Sequence, residues 1–267
     1  MRPSHRPSAM RLFFKELGVG EPLVLLHGLL GSSDNWLGVA PALAKQSHLF
    51  IPDLRNHGLS PHSATMDYPI MADDVRVLLD AHGVQTAHLM GHSMGGKVAM
   101  EYVLRWPERT KSLIVEDMAP RAYKQVHDVI FSALMELDLG GFQTRQQIED
   151  ALAPRIHSLV MRRFLLKNLG RDATGKFYWK TNLRGLADNY SRLNEPISSE
   201  TPFQKPTLFI RGGKSNHIHA SDEPVIHKLF PKSSMETIPE AGHWVHGDAP
   251  REFVDSVLKF LEAVCAG

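Results

Sequence analysis

The stretch "LMGHSMGGKVAM" (89–100) places Gly91-His92-Ser93-Met94-Gly95 between an apolar run and a helical pattern. A serine hydroxyl attacks a carbonyl only when a base takes its proton and donors receive the negative charge that develops. A Gly-x-Ser-x-Gly at a strand-to-helix turn supplies the first requirement, a strained elbow that holds the hydroxyl out at a helix N-terminus. The bare pattern also arises by chance, so its surroundings decide. Upstream, His27-Gly28-Leu29 ends another apolar run, where the amide of Leu29 can join that of Met94 as an oxyanion hole. Downstream, "PEAGHWVHGDAPREF" puts His243 between the last strand and the last helix, where a loop histidine can reach back to Ser93. Gly28, His92, His246 and Trp244 adjoin these residues and are expected to line the site.

A serine–histidine pair needs a carboxylate to hold the histidine tautomer, and two regions offer one. The loop after "PTLFIRG" has Asp222 and Glu223, but they come late, where a helix begins. The strand end "LIVEDMAP" has Glu116 and Asp117, which strand alternation sends to opposite sides, so only one can face His243. The stretch "LFIRGGKSNHIHA" (208–220) has a Gly-Lys-Ser, yet a phosphate loop needs a glycine where Leu208 stands. His217 and His219 form a His-x-His without an acidic or cysteine partner at useful spacing, and no metal is expected.

Five short apolar runs could position this chemistry: 22–28, 48–54, 87–93, 112–118 and 206–212. Apolar residues spaced three and four apart mark helices over 70–81, 97–105 and 251–264. The alternation implies a doubly wound, mostly parallel α/β sheet with ligands at the carboxyl ends of its strands. It stops at Pro120, and 120–204 reads as an inserted helical cap without strand-like runs. Residues 10–119 and 205–267 then form the core, and 1–9 a disordered start.

At 267 residues and 43% apolar content the chain can bury a full core. Its 30 basic and 29 acidic residues leave no global bias of the kind nucleic-acid binding produces. The single cysteine, Cys265, excludes an internal disulfide; with no signal peptide or spanning segment apparent, a cytoplasmic protein without stable membrane insertion is expected. Locally, 145–184 carries nine Lys and Arg against three acids. That run reads first as a solvated helix face, and second as a rim through which Arg162 and Arg163 draw an anionic substrate.

These motifs, in this order, resemble the α/β-hydrolase superfamily over nearly the whole chain. "HGLLGSSDNW", "DLRNHGLS", "GHSMGGKVAM" and "FIRGGKSNHI" are similar to the bacterial YbfF-type esterases and the ABHD11-type hydrolases. The resemblance implies acyl ester or thioester hydrolysis without a cofactor. It also implies Asp117 as the acid, with Ser215 standing where the usual acid would be and supporting Asp117 or His243. Asp53, Arg55 and Ser60 then brace a turn. The expected function is a serine carboxylesterase or thioesterase acting on small acyl esters or acyl-CoA. Carbon–carbon bond hydrolysis, a lyase reaction and a non-catalytic receptor are the alternatives.

Overall fold

The computed structural model describes residues 9–266, so most of the expected disordered start, 1–8, lies outside the described residues. In chain order the strands are β1 (Phe14–Leu17), β2 (Glu21–Leu26), β3 (Ser47–Pro52), β4 (Ala87–His92), β5 (Thr110–Glu116), β6 (Leu169–Arg171), β7 (Phe177–Trp179), β8 (Thr207–Gly212) and β9 (Ser233–Ile238). Seven of them build one sheet in the order β1-β3-β2-β4-β5-β8-β9. Among the described residues only β1 runs antiparallel to its neighbour in that sheet.

The strands read as unbroken apolar runs because both faces of the sheet are covered. Leu23, Leu25, Ile114 and Ile210 pack on one face with Phe253 and Val257 of the closing helix Pro250–Ala266. Their neighbours Val24, Leu26, Val115 and Phe209 point to the other face, against Val98 and Tyr102 of the helix Met94–Arg105. Each such fully buried aliphatic side chain contributes roughly 1.5–3 kcal/mol. The helix Tyr68–Ala81 starts before the apolar spacing shows it, because Asp67 accepts the Ile70 N–H at 2.9 Å and Pro69 suits the first turn. The helix after Ser93 also starts earlier than its spacing implies; Gly95 and Gly96 leave no apolar side chain to reveal its first turn.

Between β5 and β8 the chain makes an excursion containing the helices Asp128–Met135, Arg145–Leu152, Leu159–Leu166 and Leu183–Leu193. Residues 120–204 lie within it. Contrary to the purely helical expectation, it also holds the β6–β7 hairpin, with Leu169 opposite Trp179. Its turn is set by Asp172, whose Oδ1 accepts the N–H groups of Thr174 at 2.8 Å and Lys176 at 3.0 Å. Three-residue strands are too short to show alternation. Among the described residues no helix is long and apolar enough to cross a membrane.

Candidate active site

β4 ends at His92 and the helix begins at Met94, so Ser93 takes the whole change of direction, with φ 52° and ψ −119°. A non-glycine residue there carries about 1–3 kcal/mol of strain, which the surroundings must hold in place. A Cβ on Gly91 would overlap the Gly95 carbonyl, and one on Gly95 the Leu26 carbonyl. Both flanking glycines are therefore obligatory for a turn this tight. The Ser93 N–H is tied to the Glu116 carbonyl at 3.1 Å, which fixes the elbow to β5.

Glu116 and Asp117 separate because β5 ends at Glu116 and Asp117, just beyond it, takes a left-handed φ. Glu116 is fully buried and accepts the His246 ring Nδ1–H at 2.8 Å and its backbone N–H at 2.9 Å. Burial pushes its carboxyl up, but His246 and His92 outweigh this and hold it below the ordinary carboxylate range. Asp117, at φ 49°, turns the other way and accepts the His243 Nδ1–H at 2.7 Å through Oδ2. The Gly212 N–H reaches its Oδ1 at 3.1 Å, and the Ser215 hydroxyl donates to its Oδ2. Burial raises the Asp117 carboxyl above its ordinary value, and these donors oppose the rise by favouring the carboxylate. Asp222 is occupied elsewhere, accepting the His219 N–H at 2.8 Å and pairing with Arg121 at 2.9 Å.

With Nδ1–H directed to Asp117, the lone pair of His243 is on Nε2. Burial, reinforced by His127 and His246, holds its pKa below the ordinary histidine value, so the ring is a neutral base at pH 7. Opposite lies the loop of Leu29 and Leu30. His57 accepts the Leu30 N–H at 3.1 Å while its own Nδ1–H goes to the Arg55 carbonyl at 2.9 Å. From the cap, Asn168 donates to the Leu30 carbonyl at 2.7 Å. Leu30, at φ 59°, is thus locked from two sides, leaving the Leu29 N–H without a protein acceptor among the described residues. The Met94 N–H, first in its helix, is one of the donors that a helix cannot satisfy internally.

A cavity of about 310 Å³ between sheet and cap is lined by Ser93, His243, Gly28, Leu29, His92, Met94 and Trp244. Asp117 and Ser215 stand behind His243. Asp53, Arg55 and Ser60 brace the turn after β3: Arg55 clamps Asp74 with two 2.7 Å bonds, and Asp53 accepts the N–H groups of Ser33 and Leu59. The expectation for Arg162 and Arg163 needs correction, because neither lines the cavity. Arg162 folds back onto the carbonyls of Ile156 and His157 at 2.8 and 2.9 Å, satisfying the end of its own helix connection. Arg163 points outward and meets Glu149 at 3.6 Å.

Lys97, Tyr123 and His217 are among the cavity residues that sequence reasoning missed. Lys97 is fully buried, with Nζ donating to the Glu195 carbonyl at 2.6 Å and facing the rings of Tyr68 and Tyr123. Burial lowers its ammonium to a pKa of about 7. Tyr123 binds the His217 carbonyl through its hydroxyl at 2.6 Å. His217 itself stacks on His243, a placement visible in sequence only as half of a His-x-His. Asp117, His217 and His243 have the chemistry of metal ligands and lie close together. Their geometry does not suit one ion: the two imidazoles are nearly parallel, at 15°, so their in-plane lone pairs cannot converge.

Compared with known proteins, residues 21–250 match the family model described as the alpha/beta hydrolase fold. The chain belongs to the α/β-hydrolase family. This α/β hydrolase is 35% identical over 258 residues to the zebrafish (Danio rerio) "sn-1-specific diacylglycerol lipase ABHD11", covering 93% of this chain and 81% of the relative. It is 35% identical over 243 residues to "Esterase YbfF" of Escherichia coli strain K12, covering 90% and 92%. The solved structure of a "Marine microorganism esterase" superposes with a TM-score of 0.92 at 38% identity, covering 94% of this chain and all of that one. The protein is therefore an esterase/lipase-type hydrolase.

Proposed function

We propose that the protein is a serine carboxylesterase that cleaves esters of apolar carboxylic acids through an acyl-enzyme on Ser93. The observation carrying this reading is the 2.7 Å bond from His243 to Asp117, on a histidine sharing the cavity wall with a strained Ser93. In the proposed reaction His243 Nε2 takes the Ser93 proton as Oγ attacks the ester carbonyl. The Leu29 and Met94 amides receive the oxyanion, while Asp117 stabilises the imidazolium. His243 then protonates the departing alkoxide, and the alcohol leaves. Water, deprotonated by His243, attacks the acyl carbonyl; the acyl C–Oγ bond then breaks, the carboxylic acid leaves, and His243 returns the proton to Ser93 Oγ.

Met118, Met161, Phe164 and Tyr190 give the cavity an apolar wall suited to an acyl chain. The printed names of the relatives, an esterase and a diacylglycerol lipase, support a carboxylic ester as the substrate class. On p-nitrophenyl esters from acetate upward, kcat/KM should rise about fourfold per methylene until the cavity is filled. A flat series, or one that falls from acetate, would contradict an apolar acyl site. The same machinery accepts a thioester carbonyl, so acyl-CoA is the charged member of the comparison. With Arg162 and Arg163 turned away, neutralising them together with Lys167 should change kcat/KM alike for acyl-CoA and a neutral ester. A loss confined to acyl-CoA and relieved by salt would restore the cationic rim.

A further inference from the structure

We infer that His217 is a positioning residue for His243: a flat, uncharged cover that fixes the plane of the catalytic imidazole and steadies the imidazolium it becomes. The inference rests on His243 being the base of the proposed reaction. A histidine ring sits on a broad terminal torsion, so one hydrogen bond to Asp117 does not by itself fix its plane. The neighbours must do so. The His217 ring lies 3.5 Å from that of His243, centroid to centroid, at 15°. His92 also approaches, at 4.6 Å and 48°, while its Nε2–H holds the His243 carbonyl at 2.8 Å.

His217 is held as firmly as the ring it covers. Ser215 gives its only hydroxyl proton to Asp117, so its Oγ can only accept from His217, whose Nδ1 lies 3.2 Å away. The network thereby assigns His217 the Nδ1–H tautomer. The His217 N–H reaches the same Oγ at 3.2 Å, and its carbonyl accepts from the Tyr123 hydroxyl at 2.6 Å and from Arg121 at 3.3 Å. The charged and titratable groups facing it are His243, Asp117 at 3.7 Å, Tyr123, Arg121 and His127. Burial, reinforced by His243, His127 and Arg121 against the opposing Asp117, brings its pKa down to about 4, leaving it neutral at working pH. A neutral aromatic face against a forming imidazolium is attractive, whereas a charged one would repel it.

The test compares His217→Phe, His217→Leu and His217→Ala with wild type on p-nitrophenyl butyrate and by the rate of fluorophosphonate inactivation, with thermal melts as a check of folding. Phe keeps a flat face and should retain kcat within about threefold, whereas Leu and Ala should lose about 10- to 30-fold in kcat with KM nearly unchanged. Inactivation rates should fall in parallel, since they report the nucleophilicity of Ser93. If Ala fails to fold, the Phe–Leu comparison decides. Wild-type kcat in Leu, a loss confined to KM, or equal loss in Phe and Leu would overturn the inference. A wild-type protein inert to the probe would strike the Ser93 reading first and this one with it, a result distinct from normal labelling that ignores position 217.

Discussion

Replacing Ser93 or His243 with alanine is expected to lower kcat on p-nitrophenyl butyrate by about five to six orders of magnitude, and the double replacement to cost scarcely more. In the proposed reaction nucleophile and base act as one unit, so removing either removes the step they share. The fold should survive both changes. Alanine at 93 meets no strain at φ 52° that serine did not already carry. In His243→Ala the Asp117 carboxylate keeps its bonds from Gly212 and Ser215, so no buried charge is left without a donor. Kinetics and circular-dichroism melts together check this. A variant that folds and retains a tenth of the wild-type rate would remove its residue from the proposed role.

Asp117→Asn is the second large effect, a loss of up to about four orders of magnitude in kcat. The amide preserves shape but presents its NH2 or its oxygen to His243 Nδ1 without the charge that stabilises the imidazolium. The tautomer that leaves the Nε2 lone pair free to act as the base of the proposed reaction loses its preference. Ser215→Ala removes one donor to Asp117 and should cost only about two- to tenfold in rate. Asp222→Asn should leave kcat unchanged, because that carboxylate caps the His219 turn and pairs with Arg121. If Asp222→Asn were crippling and Asp117→Asn mild, the acid would belong to the loop after β8 instead.

The tight turn at Ser93 and the placing of Leu29 and His243 on the cavity wall were legible because each lies in a short motif at a strand end, where local geometry dictates residue type. Asp117 needed more. Parity predicts that Glu116 and Asp117 part, but the φ of 49° that swings Asp117 under His243 leaves no pattern in the residue types. His217 was visible only as a histidine near another, since its stack on His243 joins two separate loops after different strands. The cap cations misled because composition counts charge without direction. Arg162 uses its guanidinium on backbone carbonyls, and Arg163 faces solvent. The cap hairpin, with strands of three residues, was too short for any period to appear.

The most direct test of the account is to incubate the protein with a fluorophosphonate, measure its intact mass, and map the modified peptide. The account predicts a single adduct on Ser93, absent from Ser93→Ala and formed far more slowly in His243→Ala and Asp117→Asn. A wild-type protein that remains unlabelled, or one that carries the adduct on another residue, would contradict it.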